Sequence, residues 1–158
     1  MNKINHEVFG VLIDNGGWRR KEKINFWGIQ KEVDIMVYAD TIPNFKEYQK
    51  NSYIEFKKIT DEFLRDAKFS AYKYYLSVYE ELRERFEHDA DKLAPIVNNE
   101  NEFAKLINPT TILFPFIFND EKTSFGILFD CKWDPSHGLA VLFENGKVTE
   151  VGEQDIIL

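Results

Sequence analysis

The stretch "SFGILFDCKWDPSHGLAVLFENGKVTEV", Ser124 to Val151, decides the architecture. It contains three short runs, SFGILFDCKW, LAVLFENG and KVTEV, rich in β-branched, aromatic and aliphatic residues and bounded by turn-forming ones. Between the second and third, Glu144 to Lys147 reads ENGK, a two-residue hairpin signal, because Asn and Gly tolerate the positive φ angles of a tight antiparallel return. Between the first and second, Trp133 to Gly138 reads WDPSHG. Here Asp accepts backbone N–H bonds, Pro fixes φ and Gly tolerates positive φ. With TILFPFIF, Thr111 to Phe118, ahead of them, these runs predict a four-stranded antiparallel meander.

Moving outward, the period changes. Phe45, Tyr48, Ser52, Phe56, Ile59 and Phe63 recur at spacings of three and four, as on one helical stripe, and Tyr72, Tyr75, Tyr79, Leu82 and Phe86 make a second. Asn44 with Glu47 resembles a capping box behind Pro43. Residues 44–87 contain neither Gly nor an interior Pro, so one long helix is possible. A small domain has little room for it, and we expect two helices with a break near Asp66 to Ser70. A short helix is expected around Asn101 to Ile107, after the loop at Pro95. At the start of the chain, HEVFGVLI and KEKINFW flank the DNGG turn, and Gly28 separates the latter from KEVDIMVYA, predicting a three-stranded meander. The order βββ, αα, ββββ predicts a single α+β domain over residues 1–158. It would be a mostly antiparallel sheet, made of an N-terminal and a C-terminal meander, with two helices packed on one face.

Composition excludes several classes of function. With 158 residues, 44% hydrophobic and 30% charged, the chain can bury a core of its own. No apolar run approaches the roughly 18 residues of a membrane span, and the first ten residues lack a secretory apolar core, so a cytoplasmic protein is expected. The single cysteine, Cys131, forbids an internal disulfide and a thiolate zinc cluster. Residues 93–158 carry four basic and ten acidic groups, which is nearly all of the net charge of −7. Such a surface repels nucleic acid and suits a basic protein partner. Lys outnumbers Arg fifteen to five, with many Asn and Ile, as in AT-rich bacterial genomes.

WDPSHG reads first as a structural turn, with Trp133 packed at a strand end beside Cys131 and Phe129, Gly138 supplying the bend, and His137 held by Asp134. Its alternative is an enzyme, small-ligand or metal site built on Asp130, Asp134 and His137. Adjacent Ser136 and His137 would point apart, which disfavours a nucleophile and base pair. His6, His88 and His137 lack the i, i+4 pairing of zinc ligands, HDAD at His88 to Asp91 reads as a solvated helix exit, and no phosphate-binding glycine motif occurs. No catalytic residue, metal or cofactor is therefore expected. WRRKEK, Trp18 to Lys23, reads as an exposed strand face. The residues expected to meet a partner are Glu144, Glu150, Glu153 and Asp155, with Tyr74 lying off the second helix's core stripe as an aromatic anchor.

Gly126 to Leu158 resembles the C-terminal signature of an uncharacterised bacterial domain family. The shared features are Trp133-Asp134 closing one strand, His137-Gly138-Leu139 opening the next, the hairpin Asn145-Gly146-Lys147, then Val151-Gly152 and Gln154-Asp155. The family looks like one of the groups of small proteins that accompany bacterial toxin systems. The resemblance implies an immunity-type protein that neutralises a cognate toxin, such as a nuclease, by masking a basic surface. The toxin would be encoded in an adjacent reading frame.

Overall fold

In the computed structural model, residues 2–116 and 122–158 are described, and their strands form one eight-stranded sheet in sequence order. The strands are β1 (Lys3–His6), β2 (Gly10–Asp14), β3 (Trp18–Phe26), β4 (Ile29–Val37), β5 (Ile107–Phe114), β6 (Ser124–Cys131), β7 (Leu139–Glu144) and β8 (Lys147–Gly152). Neighbours are antiparallel throughout except β4 and β5, which are parallel over Asp34–Val37 and Thr111–Phe114. A parallel pair cannot be joined by a tight turn, so the helical block lies in this one crossover. It comprises α1 (Glu47–Lys58), α2 (Thr60–Phe86), a 3₁₀ turn (Glu87–Asp89), α3 (Ala90–Leu93) and α4 (Glu100–Ala104). The protein is thus α+β, two meanders fused edge to edge through a parallel seam. None of the described helices is long and apolar enough to cross a membrane.

The helices and one face of the sheet share the main core. Phe56 and Phe63 of the two long helices stack at 6.2 Å, and Phe63 meets Phe125 at 4.9 Å and Phe143 at 5.2 Å. Gln49, fully buried on α1, donates through Nε2 to the carbonyls of Tyr38 and Phe114, tying the helix to the ends of the parallel seam. Across the sheet, Met36, Leu113, Leu128 and Ala140 form a second apolar cluster, covered by Tyr38, Ile156 and Ile157. Thr111–Phe114 of β5 and Ser124–Phe129 of β6 are therefore buried on both faces, which is why ILF and FGILF read as continuous apolar runs.

Several boundaries differ from the expectations. HEVFGVLI is not one strand but the last residue of β1, a turn and most of β2. The chain turns after His6, whose Nδ1 accepts the N–H groups of Val8 and Phe9, and Gly10 restarts the strand at φ +80°. The helical break falls at Ile59 (φ −132°, ψ 42°), not at Asp66 to Ser70. Ala67 and Ala71 are fully buried, so packing holds α2 continuous through that segment. The space argument fails because the eight-stranded sheet spans roughly 34 Å at about 4.8 Å per strand, so it underlies most of a helix about 40 Å long. The reach-back contact at the start of α1 is Gln49 Oε1 accepting the Lys46 N–H at 2.9 Å, not an Asn44 and Glu47 pair. Residues 105–107 are not helical, because Ile107 already begins β5. That strand ends at Phe114, before Pro115, and the end of TILFPFIF, residues 117–118, lies outside the described residues. WRRKEK forms the first part of β3, where Arg19 pairs with Asp34 at 3.0 Å and Arg20 with Glu22 at 2.8 Å.

Candidate functional site

The WDPSHG turn is anchored from below and hydrogen-bonded within itself. Phe129, Cys131 and Trp133 alternate onto the core face, and the Trp133 ring packs 4.9 Å from Tyr75 and 6.1 Å from Phe103. The Asp134 carbonyl accepts the Gly138 N–H at 2.9 Å, and its Oδ1 accepts the His137 N–H at 3.1 Å. His137 Nδ1 lies 3.0 Å from the same Oδ1. Hydrogen bonding to Asp134, reinforced by that carboxylate's charge, raises the His137 pKa. Gly138 sits at φ +63°, and a Cβ there would stand 2.8 Å from the Phe129 carbonyl and 2.4 Å from Gln154 Nε2. Only glycine fits both the angle and the space.

That close approach exists because the C-terminal tail docks on the turn. Gln154 donates its backbone N–H to the His137 carbonyl at 3.1 Å and its Nε2 to the Phe129 carbonyl at 3.0 Å. Three residues on, Ile157 packs onto bare Gly126, where a Cβ would come within 2.2 Å of Ile157 Cδ1. Fixing Gln154 brings Glu153 beside the turn. Among the described residues, Asp134, His137 and Glu153 are a group whose potential ligand atoms all lie within 4.8 Å of one another.

The long helix α2 supplies the opposite wall. Tyr74, Glu81, Trp133, Asp134, His137 and Glu153 all line a groove of about 430 Å³. Tyr74 and Glu81 are seven residues apart, two helical turns, and so share a face. Burial and then the Glu153 charge raise the Tyr74 pKa, so the phenol keeps its proton. Arg85 also lines the groove, 3.6 Å from Glu81.

Of the residues expected from sequence, the fold gathers Tyr74, Trp133, Asp134, His137, Gly138 and Glu153 into this groove and leaves the others out. Asp130 is exposed and sits opposite Asn108 in the ladder with β5, one residue out of phase with buried Cys131. Glu144 is paired with Lys122 at 3.1 Å. Glu150 and Asp155 are exposed outside the groove. Tyr74 is half-buried against the core, and the more exposed aromatic of α2 is Phe69. Sequence reasoning missed Glu81, whose seven-residue offset from Tyr74 was the available signal. It also named Asp130 as third partner of Asp134 and His137, a place that Glu153 takes. Burial pushes the Cys131 thiol up to about 12, so it is no thiolate nucleophile at neutral pH.

Comparison with known proteins follows the same line. No curated protein and no solved structure matches the chain. A family model matches residues 8–158, a span that takes in the whole groove and seven of the eight strands, β1 lying before it. The chain belongs to the family described as a domain of unknown function, DUF6985.

Proposed function

We propose that this protein is an immunity-type binding protein that neutralises a cognate toxin by masking a basic surface, and that the groove between α2 and the WDPSHG turn receives a basic side chain of that partner. The observation that carries this reading is the convergence of Asp134 and Glu153 beside Tyr74 and Trp133, with Glu81, offset by Arg85, on the facing wall. An aromatic floor with carboxylates at its rim suits a guanidinium or ammonium group, which gains both ring contact and charge-assisted hydrogen bonds. Glu150 and Asp155, exposed nearby in sequence on β8 and the tail, extend the same sign of charge and would steer the encounter. Glu144 contributes less, since Lys122 already offsets it.

The test is a binding titration against the product of the adjacent reading frame at low and high salt. Replacing Glu144, Glu150, Glu153 and Asp155 together by Gln or Asn should slow association and flatten its salt dependence while leaving the fold intact. Unchanged rate and salt slope would remove the acidic surface from the docking site, and no binding at all would remove the immunity reading.

A second reading, an enzyme or a small-ligand or metal site on the turn, is favoured by the proximity of Asp134, His137 and Glu153. His137 Nδ1 is already engaged by Asp134, so a cation would have to displace that contact. One tightly held metal per purified chain, with a melt that shifts on chelation, would establish this reading over the first.

A further inference from the structure

A second cavity, of about 670 Å³, lies elsewhere, where the two meanders part. β4 keeps its ladder with β3 from Ile29 to Val37, but pairs with β5 only from Asp34 onward. On its other edge β5 slips register against β6 between Pro109 and Thr111, and toward β4 Pro109 has no N–H to offer. The early halves of the parallel strands therefore separate, and the sheet opens into a cleft. Its walls are Phe26, Trp27, Ile29, Ile107 and Pro109. Trp27 is fixed in place by stacking on Phe129 at 6.1 Å and by donating Nε1 to the Leu64 carbonyl at 2.8 Å. Ile29 is 61% exposed, a large apolar side chain left open on the cleft wall.

The charges here run against the rest of the molecule. Lys31 and Lys105 line the cleft, and Lys68, which lines a neighbouring pocket, holds Nζ over the Trp27 ring at 5.9 Å and 3.0 Å from Asn101 Oδ1. Among the described residues none of these three lysines has a carboxylate partner, although the chain carries a net charge of −7. An apolar slot with a few convergent polar groups and a volume in the usual ligand range is the normal form of a small-molecule site. From this splay of β4 and β5, with Lys31 and Lys105 free of carboxylate partners beside an apolar wall, we infer a binding site for an amphipathic organic anion. Its apolar body lies against Trp27 and Ile29, and its carboxylate or sulfonate meets Lys31 and Lys105.

The inference is independent of the acidic groove and can be tested on the whole chain with anilinonaphthalene sulfonate as the probe. Saturable binding of one probe per chain is expected, with energy transfer from Trp27, displaced by dodecanoate but not by dodecyltrimethylammonium. Lys31→Glu with Lys105→Glu, and separately Ile29→Glu, should each weaken the probe about tenfold or more, a change of about 1.4 kcal/mol, with an unchanged thermal melt. Glu153→Lys should leave it unaffected. Absence of saturable binding, equal displacement by the anionic and cationic amphiphiles, or wild-type affinity in both lysine and isoleucine variants would overturn the assignment.

Discussion

The acidic groove and the basic cleft open at the same end of the sheet, where β5 begins and β6 ends, yet they arise in opposite ways. The groove is made by closure: a helix, a turn and the chain's tail come together over a strand end, held by Gln154 and by glycines that leave no space for a side chain. The cleft is made by opening, where a parallel pair with a proline in one strand fails to continue its ladder. Consequently the groove's floor is core, whereas the cleft's wall includes an exposed isoleucine. Truncating the groove's buried floor should unsettle the fold, whereas truncating the exposed Ile29 of the cleft wall should not.

Trp133→Ala gives the largest expected effect. The ring is buried between Tyr75 and Phe103, and its loss should cost about 3–5 kcal/mol in denaturant unfolding. Ile29→Ala should change stability by no more than about 0.5 kcal/mol in the same measurement. Comparable losses would erase the contrast between the two regions. Next comes Gly138→Ala, which forces a Cβ toward the Phe129 carbonyl at positive φ. A loss of about 1–3 kcal/mol is expected, with release of the tail visible as faster amide exchange at Gln154 and Ile157. Wild-type exchange there would mean that the turn does not hold the tail.

The smallest effect is a titration. The folded pKa of His137 is raised, so its contact with Asp134 stabilises the protein below the ordinary imidazole value of about 6.5 and loses that contribution as pH rises through the folded value. Relative to His137→Gln, the wild-type melt should therefore decline slightly between about pH 6 and pH 8. NMR titration should also show the His137 pKa falling toward the ordinary value in Asp134→Asn. An identical midpoint in that variant would show that Asp134 is not the cause.

Local chemistry was legible in the sequence wherever it was complete in a few residues. The Asn145-Gly146 return has φ angles of 50° and 81°, as the dipeptide predicts, and the period change to helix stands out clearly. The β1 to β2 turn was harder, because its only cue was Gly10 inside an apolar run, and the histidine that caps it looks like a strand residue. The break at Ile59 has no Gly or Pro and is set by how two helices meet the sheet. Glu153 lies beside Asp134 because Gln154 docks on the His137 and Phe129 carbonyls, the latter 25 residues back, a contact that no local pattern encodes. The cleft depends on where a parallel ladder stops, and parallel pairing itself was invisible while the two meanders were read separately.

The most direct test sets the two regions against each other in one assay, by calorimetric titration of the adjacent reading frame's product into wild type, Glu153→Lys and Ile29→Glu. Reversing a groove charge should weaken binding by about 2 kcal/mol or more, roughly thirtyfold, while the cleft variant binds as wild type does. Loss of binding in Ile29→Glu with full affinity in Glu153→Lys would contradict the account and move the docking surface to the cleft.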